Sequence, residues 1–110
     1  MKAKELILAA YELIKDEDHW CTRDYAQDET GNRVDLSSEN ASKFCAVGAL
    51  GRVERAERGC YLRFSGKSEF AKAYRILLDC CVDGETVEST NDCKGHEAIL
   101  GVFLRAMGDN

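Results

Sequence analysis

The stretch Phe44-Cys45-Ala46-Val47-Gly48-Ala49-Leu50-Gly51 constrains this chain most, because it is the longest uncharged apolar run and lies near the middle. Small or apolar residues recur at Ala41, Cys45, Gly48 and Ala49, and along a second row at Ala46, Leu50, Val53 and Ala56. Steps of three and four are the helical period, so the spacing predicts a central helix. Ser37 or Ser38 is the expected N-cap and Gly59 the expected terminator. From Phe44 to Leu50 every face is apolar or small, which predicts burial all round. Glycine inside a helix is unfavourable by about 1 kcal/mol relative to alanine. The expected compensation is close approach of a neighbouring helix on Cys45, Gly48 and Ala49. Cys45 is then a core residue placed well inside the helix.

A buried central helix needs partners, and the rest of the chain supplies them. Ala3, Leu6, Ile7, Ala10, Leu13 and Ile14 form one stripe of a first helix over 3–15. A third helix is expected over 68–81, capped by Ser65 or Ser68, with Phe70, Ala73, Tyr74, Leu77 and Cys81 on one face. A last helix carries Ile99, Val102, Phe103 and Ala106, with Thr90, Asn91 or Asp92 as its cap. Between the first two helices, Asp28-Glu29-Thr30-Gly31-Asn32 is a turn signal. It predicts a short β-hairpin with strands near 22–27 and 32–35. Cys60–Phe64 alternates weakly and reads as extended, as does the polar stretch 85–90. The expected fold is α+β, mostly α. About four helices pack round the Gly/Ala/Cys-rich one, beside one hairpin. At 110 residues the chain is expected to form a single domain over 1–110.

Charge narrows the function. The net charge is −5, which disfavours nucleic acid, a ligand that needs clustered Lys and Arg. Arg52, Arg55, Arg58 and Arg63 form one basic cluster, but Glu54 and Glu57 lie between its first members. That spacing predicts a solvated, self-paired helix face. No apolar run approaches the ~20 residues that span a bilayer, and the N-terminus does not read as a signal peptide. A cytoplasmic protein is expected. The six cysteines are then expected to be free thiols. Ser65-Gly66-Lys67-Ser68 resembles the end of a phosphate-binding loop, but Tyr61 stands where the motif needs glycine. The acidic turn lacks the ligand positions of a calcium-binding EF-hand.

Three local features stand together: Trp20-Cys21 after the first helix, Phe44-Cys45-Ala46-Val47-Gly48-Ala49 in the centre, and Asn91-Asp92 before the last helix. With these motifs the chain resembles a family of small uncharacterised proteins found in bacteria and their phages. Thr90 stands where that family often has an aromatic residue. The resemblance implies a phage or prophage setting, and it marks positions 20, 21, 45, 91 and 92 as the places to look. It carries no activity.

The residue types allow some chemistry. Cys45 as nucleophile, His96 as base and Asn91 or Asp92 as orienting group would make a thiol enzyme. Cys21 with Cys45 would make a redox pair if their Cα atoms lie within about 7 Å. Cys93 and His96, with Cys80 or Cys81, lack the paired spacing of zinc sites. Against these, burial of Cys45 inside a helix would raise its pKa and blunt it as a nucleophile. The expected function is therefore a protein-interaction module with no cofactor and no metal. Its contact surface is expected at the exposed turn, on Asp28, Glu29, Thr30 and Asn32. Asn91 and Asp92 are expected to be structural first, as caps of the last helix. The alternative is a cysteine-dependent enzyme or thiol-redox protein using Cys45 with His96 and Asp92.

Overall fold

The computed structural model describes residues 2–58 and 68–108. Along the chain come α1 (Ala3–Ile14), a 3-10 turn (Glu17–His19), β1 (Ala26–Gln27), β2 (Lys43–Phe44) and α2 (Ala46–Arg58). After these follow α3 (Glu69–Asp79), the one-turn α4 (Val87–Ser89), a π-helical turn (Thr90–Lys94) and α5 (His96–Gly108). The fold is α+β and mostly α, with one small antiparallel sheet.

The amphipathic stripes form the core where their periodicity places them. Ala3, Leu6, Ile7, Ala10 and Ile14 of α1 are buried, as are Phe70, Ala73 and Leu77 of α3. Ile99, Val102, Phe103 and Ala106 of α5 join them, and α1 packs against α2, α3 and α5. The first amides of α1 are satisfied by carboxylates. Lys2 N donates to Glu5 Oε1 at 2.7 Å and Ala3 N to Glu69 Oε1 at 2.9 Å, which ties α1 to the start of α3. Ser68 caps α3 by accepting from Ala71 N at 3.0 Å.

The central helix starts later than its periodicity suggests. Ser37 and Ser38 do not cap it. Ser37 N donates to Asp35 Oδ1 at 3.2 Å and Asn40 N to Ser38 Oγ at 3.0 Å, so this stretch closes on itself in local turns. Lys43 and Phe44 are then taken into β2, paired as Ala26↔Phe44 and Gln27↔Lys43. A fully apolar run carries no periodic signal that separates a buried strand from a helix start. Backbone pairing decides it: Cys21 N donates to Phe44 O at 3.1 Å, giving Phe44 partners on both sides.

The hairpin turn forms where expected, with Asp28 N donating to Asn32 O at 2.9 Å and Gly31 at φ +92°. Its strands pair differently. Residues 33–34 make only the Gln27↔Arg33 bridge and a bond from Val34 N to Ala26 O at 3.2 Å, while β1 takes β2 as its ladder partner. The stretch 85–90 is helical in part rather than extended. Thr86 and Ser89 cap each other reciprocally, Ser89 N to Thr86 Oγ1 at 3.0 Å and Thr86 N to Ser89 Oγ at 2.9 Å.

Arg52 is not a solvated member of a basic face. It donates to Leu36 O at 2.7 Å and Ser38 O at 3.0 Å, and its guanidinium lies 5.5 Å from the Phe44 ring centroid. Glu54 is likewise buried rather than solvated. Gly59, the 60–64 stretch, Ser65-Gly66-Lys67 and the side chains of Arg55, Glu57, Arg58 and Arg63 lie outside the described residues.

Candidate functional site

The site is built on Asn91. The residue precedes α5 in sequence, but its side chain does not cap α5. It sits in the π-helical turn, 1% exposed, and reaches three other segments. Asn91 Oδ1 accepts from the Trp20 indole Nε1 at 2.8 Å and from Ala46 N at 3.0 Å. Asn91 Nδ2 donates to Cys21 O at 3.1 Å and to Asp92 Oδ1 at 2.9 Å. All four bonds an amide side chain can make are therefore used. The expectation that Asn91 and Asp92 cap the last helix is corrected here: Asn91 caps the first amide of α2, and Asp92 Oδ1 accepts from Arg23 N at 3.0 Å.

Asp92 thereby holds Arg23 in the left-handed region, at φ 71°. For a residue with a Cβ this conformation is uncommon, and such outliers gather at ligand and switch sites. On the next residues the loop presses against α2. A Cβ built on Gly48 would meet Tyr25 O at 2.0 Å. The small face at Gly48 thus receives a loop backbone, not a neighbouring helix.

Cys45 stands at the N-terminal end of α2, correcting its expected place inside the helix. Its Sγ accepts from Gly48 N at 3.3 Å, in the manner of an N-cap. Helix N-terminal amides favour a thiolate, but burial opposes them and wins. Burial, aided by the nearby Asp92 and Glu88 carboxylates, pushes the Cys45 thiol up to about 11. Burial first, then the Cys45 thiol and Asp24, push Cys21 up to about 12. Cys45 is near enough to act on the charge of Cys21, and both thiols are free.

His96 does not line the Cys45 cavity. Its Nε2 lies 2.8 Å from Ile14 O at the end of α1, and its ring packs tilted at 46° against Trp20 with centroids 5.0 Å apart. Cys93 is exposed, and Cys80 and Cys81 are half-buried at the end of α3. Among the described residues no group of three or more His, Cys, Asp or Glu is placed to share a metal ion.

Above Asn91 and Cys45 opens a cavity of about 300 Å³. Three segments line it: Arg23-Asp24-Tyr25 with Arg33-Val34, then Cys45 and Val47 of the α2 start, then Glu88, Asn91 and Asp92. Of the expected site residues it gathers Cys45, Asn91 and Asp92, while Trp20 bonds to its floor. Arg23, Asp24, Tyr25, Arg33 and Glu88 went unread in the sequence. They come from loops and a short helix without periodicity, and nearness to Trp20-Cys21 is the one signal that pointed toward three of them.

The turn residues Asp28, Glu29 and Thr30 line a separate surface cleft with 39–42, of about 460 Å³. Asp28 organises this turn. Its Oδ1 accepts from Thr30 N at 3.0 Å, Thr30 Oγ1 at 2.8 Å and Asn32 N at 2.9 Å. Those bonds, the Thr30 hydroxyl first, hold its carboxyl below the usual range.

The raised thiols have a measurable consequence. At pH 7 a thiol reagent should modify Cys93 rapidly and Cys21 and Cys45 only on unfolding. A folded-state pKa above the ordinary value of 9.0 means that the unfolded chain releases its thiol protons first as pH rises. The contribution to stability is therefore whole below pH 9.0 and is lost as pH climbs toward about 11 and 12. Melting temperatures should hold steady from pH 7 to 8.5 and fall steeply by about pH 10.5. A flat profile would mean that the thiols are not desolvated.

No helix among the described residues is long and apolar enough to cross a membrane. No curated protein and no solved structure matches the chain. The sequence model of one family matches residues 1–109, nearly the whole chain, and by that match the protein belongs to the family of unknown function DUF6197.

Proposed function

We propose that the protein is a protein-interaction module of the cytoplasm with no chemistry of its own, engaging its partner through the turn at Asp28–Asn32. One observation carries the reading: the turn is folded by its own bonds before any partner arrives. Asp28 accepts three hydrogen bonds within it, and Asn32 Nδ2 donates to Thr30 Oγ1 at 3.0 Å. Glu29, Thr30 and Asn32 are exposed and contribute nothing to the core. A rigid exposed loop loses little entropy on binding, which favours recognition. The motif resemblance supports a phage or prophage accessory role. Against the thiol-enzyme alternative stand the protonated state of Cys45 at neutral pH and the engagement of His96 with Ile14 O.

Replacing Glu29 and Asn32 together by Lys tests the assignment. The Asn32 amide keeps its bond to Asp28, and Gly31 keeps the turn, so folding should be spared. Capture of a specific partner from host lysate should fall by at least about tenfold, as expected for reversing the charge of a contact patch. Capture that persists would remove the turn from the interface. Loss of function in Cys45→Ser with an unchanged melt would favour thiol chemistry instead.

A further inference from the structure

We infer that the cavity beside Cys45 is a binding site for a small zwitterion of the α-amino acid type, with an ammonium and a carboxylate on a short apolar body. This goes beyond the partner surface proposed at the turn and stands without it.

The argument starts from how charge is distributed round the cavity. Both positive groups, Arg23 and Arg33, come from the loop that leads into and out of the turn. The same loop adds one carboxylate, Asp24, and the 88–92 segment contributes two more, Glu88 and Asp92. Groups of opposite sign lining one small space would ordinarily pair. Here neither guanidinium makes a side-chain ion pair or hydrogen bond among the described residues. The carboxylates are instead aimed by uncharged donors. Glu88 Oε1 accepts from the Tyr74 hydroxyl at 2.6 Å, and Asp92 Oδ1 from Arg23 N at 3.0 Å and Asn91 Nδ2 at 2.9 Å. One oxygen of each is thus fixed by these bonds. Unpaired positive and negative groups round one cavity are complementary to a molecule that carries both charges.

Size and lining narrow the class. About 300 Å³ lies at the small end of ligand pockets, suited to a molecule of a few heavy atoms. Two guanidinium groups stand against three carboxylates, counting Asp24, so a phosphate or other dianion would meet more repulsion than attraction. Val34 and Val47 supply an apolar surface, and Tyr25, 49% exposed, stands at the rim. An aliphatic side chain would find contact there, with its carboxylate toward the arginines and its ammonium toward Glu88 and Asp92. The bonds of Asn91 beneath hold this geometry in place before a ligand enters.

Calorimetric titration of the full chain with leucine, valine and the other proteinogenic amino acids tests the inference. Binding of at least one aliphatic amino acid is expected. Its amide, which lacks the carboxylate, and its N-acetyl derivative, which lacks the ammonium, should each bind at least about tenfold more weakly, the effect of losing a charge-assisted bond. Arg33→Gln should weaken the amino acid by a similar factor and erase its advantage over the amide. Glu88→Gln, which keeps an acceptor for Tyr74, should erase the advantage over the N-acetyl derivative. Both variants should keep the wild-type melt, since neither side chain is buried. The inference is overturned if no amino acid titrates at millimolar concentration, if the blocked derivatives bind equally well, or if both variants bind like wild type. The Glu29/Asn32 variant should bind the amino acid normally. Failure of the partner surface and failure of this cavity are therefore separate results.

Discussion

Gly48→Ala should unfold much of this protein's stability reserve, although alanine is the better helix former. Propensity alone would make the substitution favourable by about 1 kcal/mol. The structure reverses the sign, because the new Cβ would lie 2.0 Å from Tyr25 O and 2.8 Å from Tyr25 C. Those are backbone atoms of a loop whose neighbour Arg23 is already held at φ 71°, so they have little freedom to retreat. Overpacking costs about 1–3 kcal/mol and sometimes more, and a clash with backbone belongs at or above the top of that range. Against a total stability of about 5–15 kcal/mol, this is a large fraction. The melting temperature should drop by roughly 10 °C or more. Gly48→Leu should be worse. The control is Gly101→Ala in α5, where the nearest atom is the flexible end of Arg105 at 3.4 Å. There the propensity gain should survive, with a stability increase of up to about 1 kcal/mol. Equal effects at the two glycines would mean that the Tyr25 loop does not rest on α2.

Asn91→Ala is expected to be the most damaging of the polar substitutions. It strips partners from the Trp20 indole N–H, from the Ala46 amide at the start of α2 and from Cys21 O. Each buried polar group left unpaired costs about 1–3 kcal/mol. Even with partial relaxation the loss should reach about 3–5 kcal/mol, the range of a broken buried network. Trp20 fluorescence offers a local reading. Its emission should shift to the red in the variant under conditions where the chain remains helical by circular dichroism, because the indole loses its anchor. Asp92→Ala should cost less, about 1–3 kcal/mol, since Asp92 is only half-buried and its main protein partners are Arg23 N and Asn91 Nδ2. A melt of Asn91→Ala within a degree or two of wild type would show that the Asn91 bonds are not what joins Trp20, Cys21 and α2.

The helices were legible wherever one face is apolar and the other polar. The stripes of α1, α3 and α5 follow the 3.6 period because each helix buries a single side against the others. The turn at Asp28–Asn32 was legible for a similarly local reason: Asp28 bonds within four residues, and Gly31 takes a positive φ. Partner choice was not legible. β1 pairs with β2 across a connection that folds through its own local turns, and nothing in either strand names the other. The start of α2 was misplaced for the same reason, since Phe44 is strand only through its pairing with Ala26 and Cys21.

The sequence by itself determined that a small-residue run would be buried at the centre, and the motif resemblance marked positions 20, 21, 45, 91 and 92 as places to look without joining them. A glycine, a cysteine, an asparagine and a tryptophan declare their chemistry but not their partners. Only the tertiary structure decided that Asn91 serves α2 rather than α5, that His96 holds α1 rather than Cys45, and that Gly48 admits a loop. It also decided where Arg23, Arg33, Glu88 and Asp92 meet round one cavity. The physical reason is that periodicity encodes which side of a segment is hidden from water. Hydrogen bonds between side chains seventy residues apart depend on distances that exist only once the core has closed.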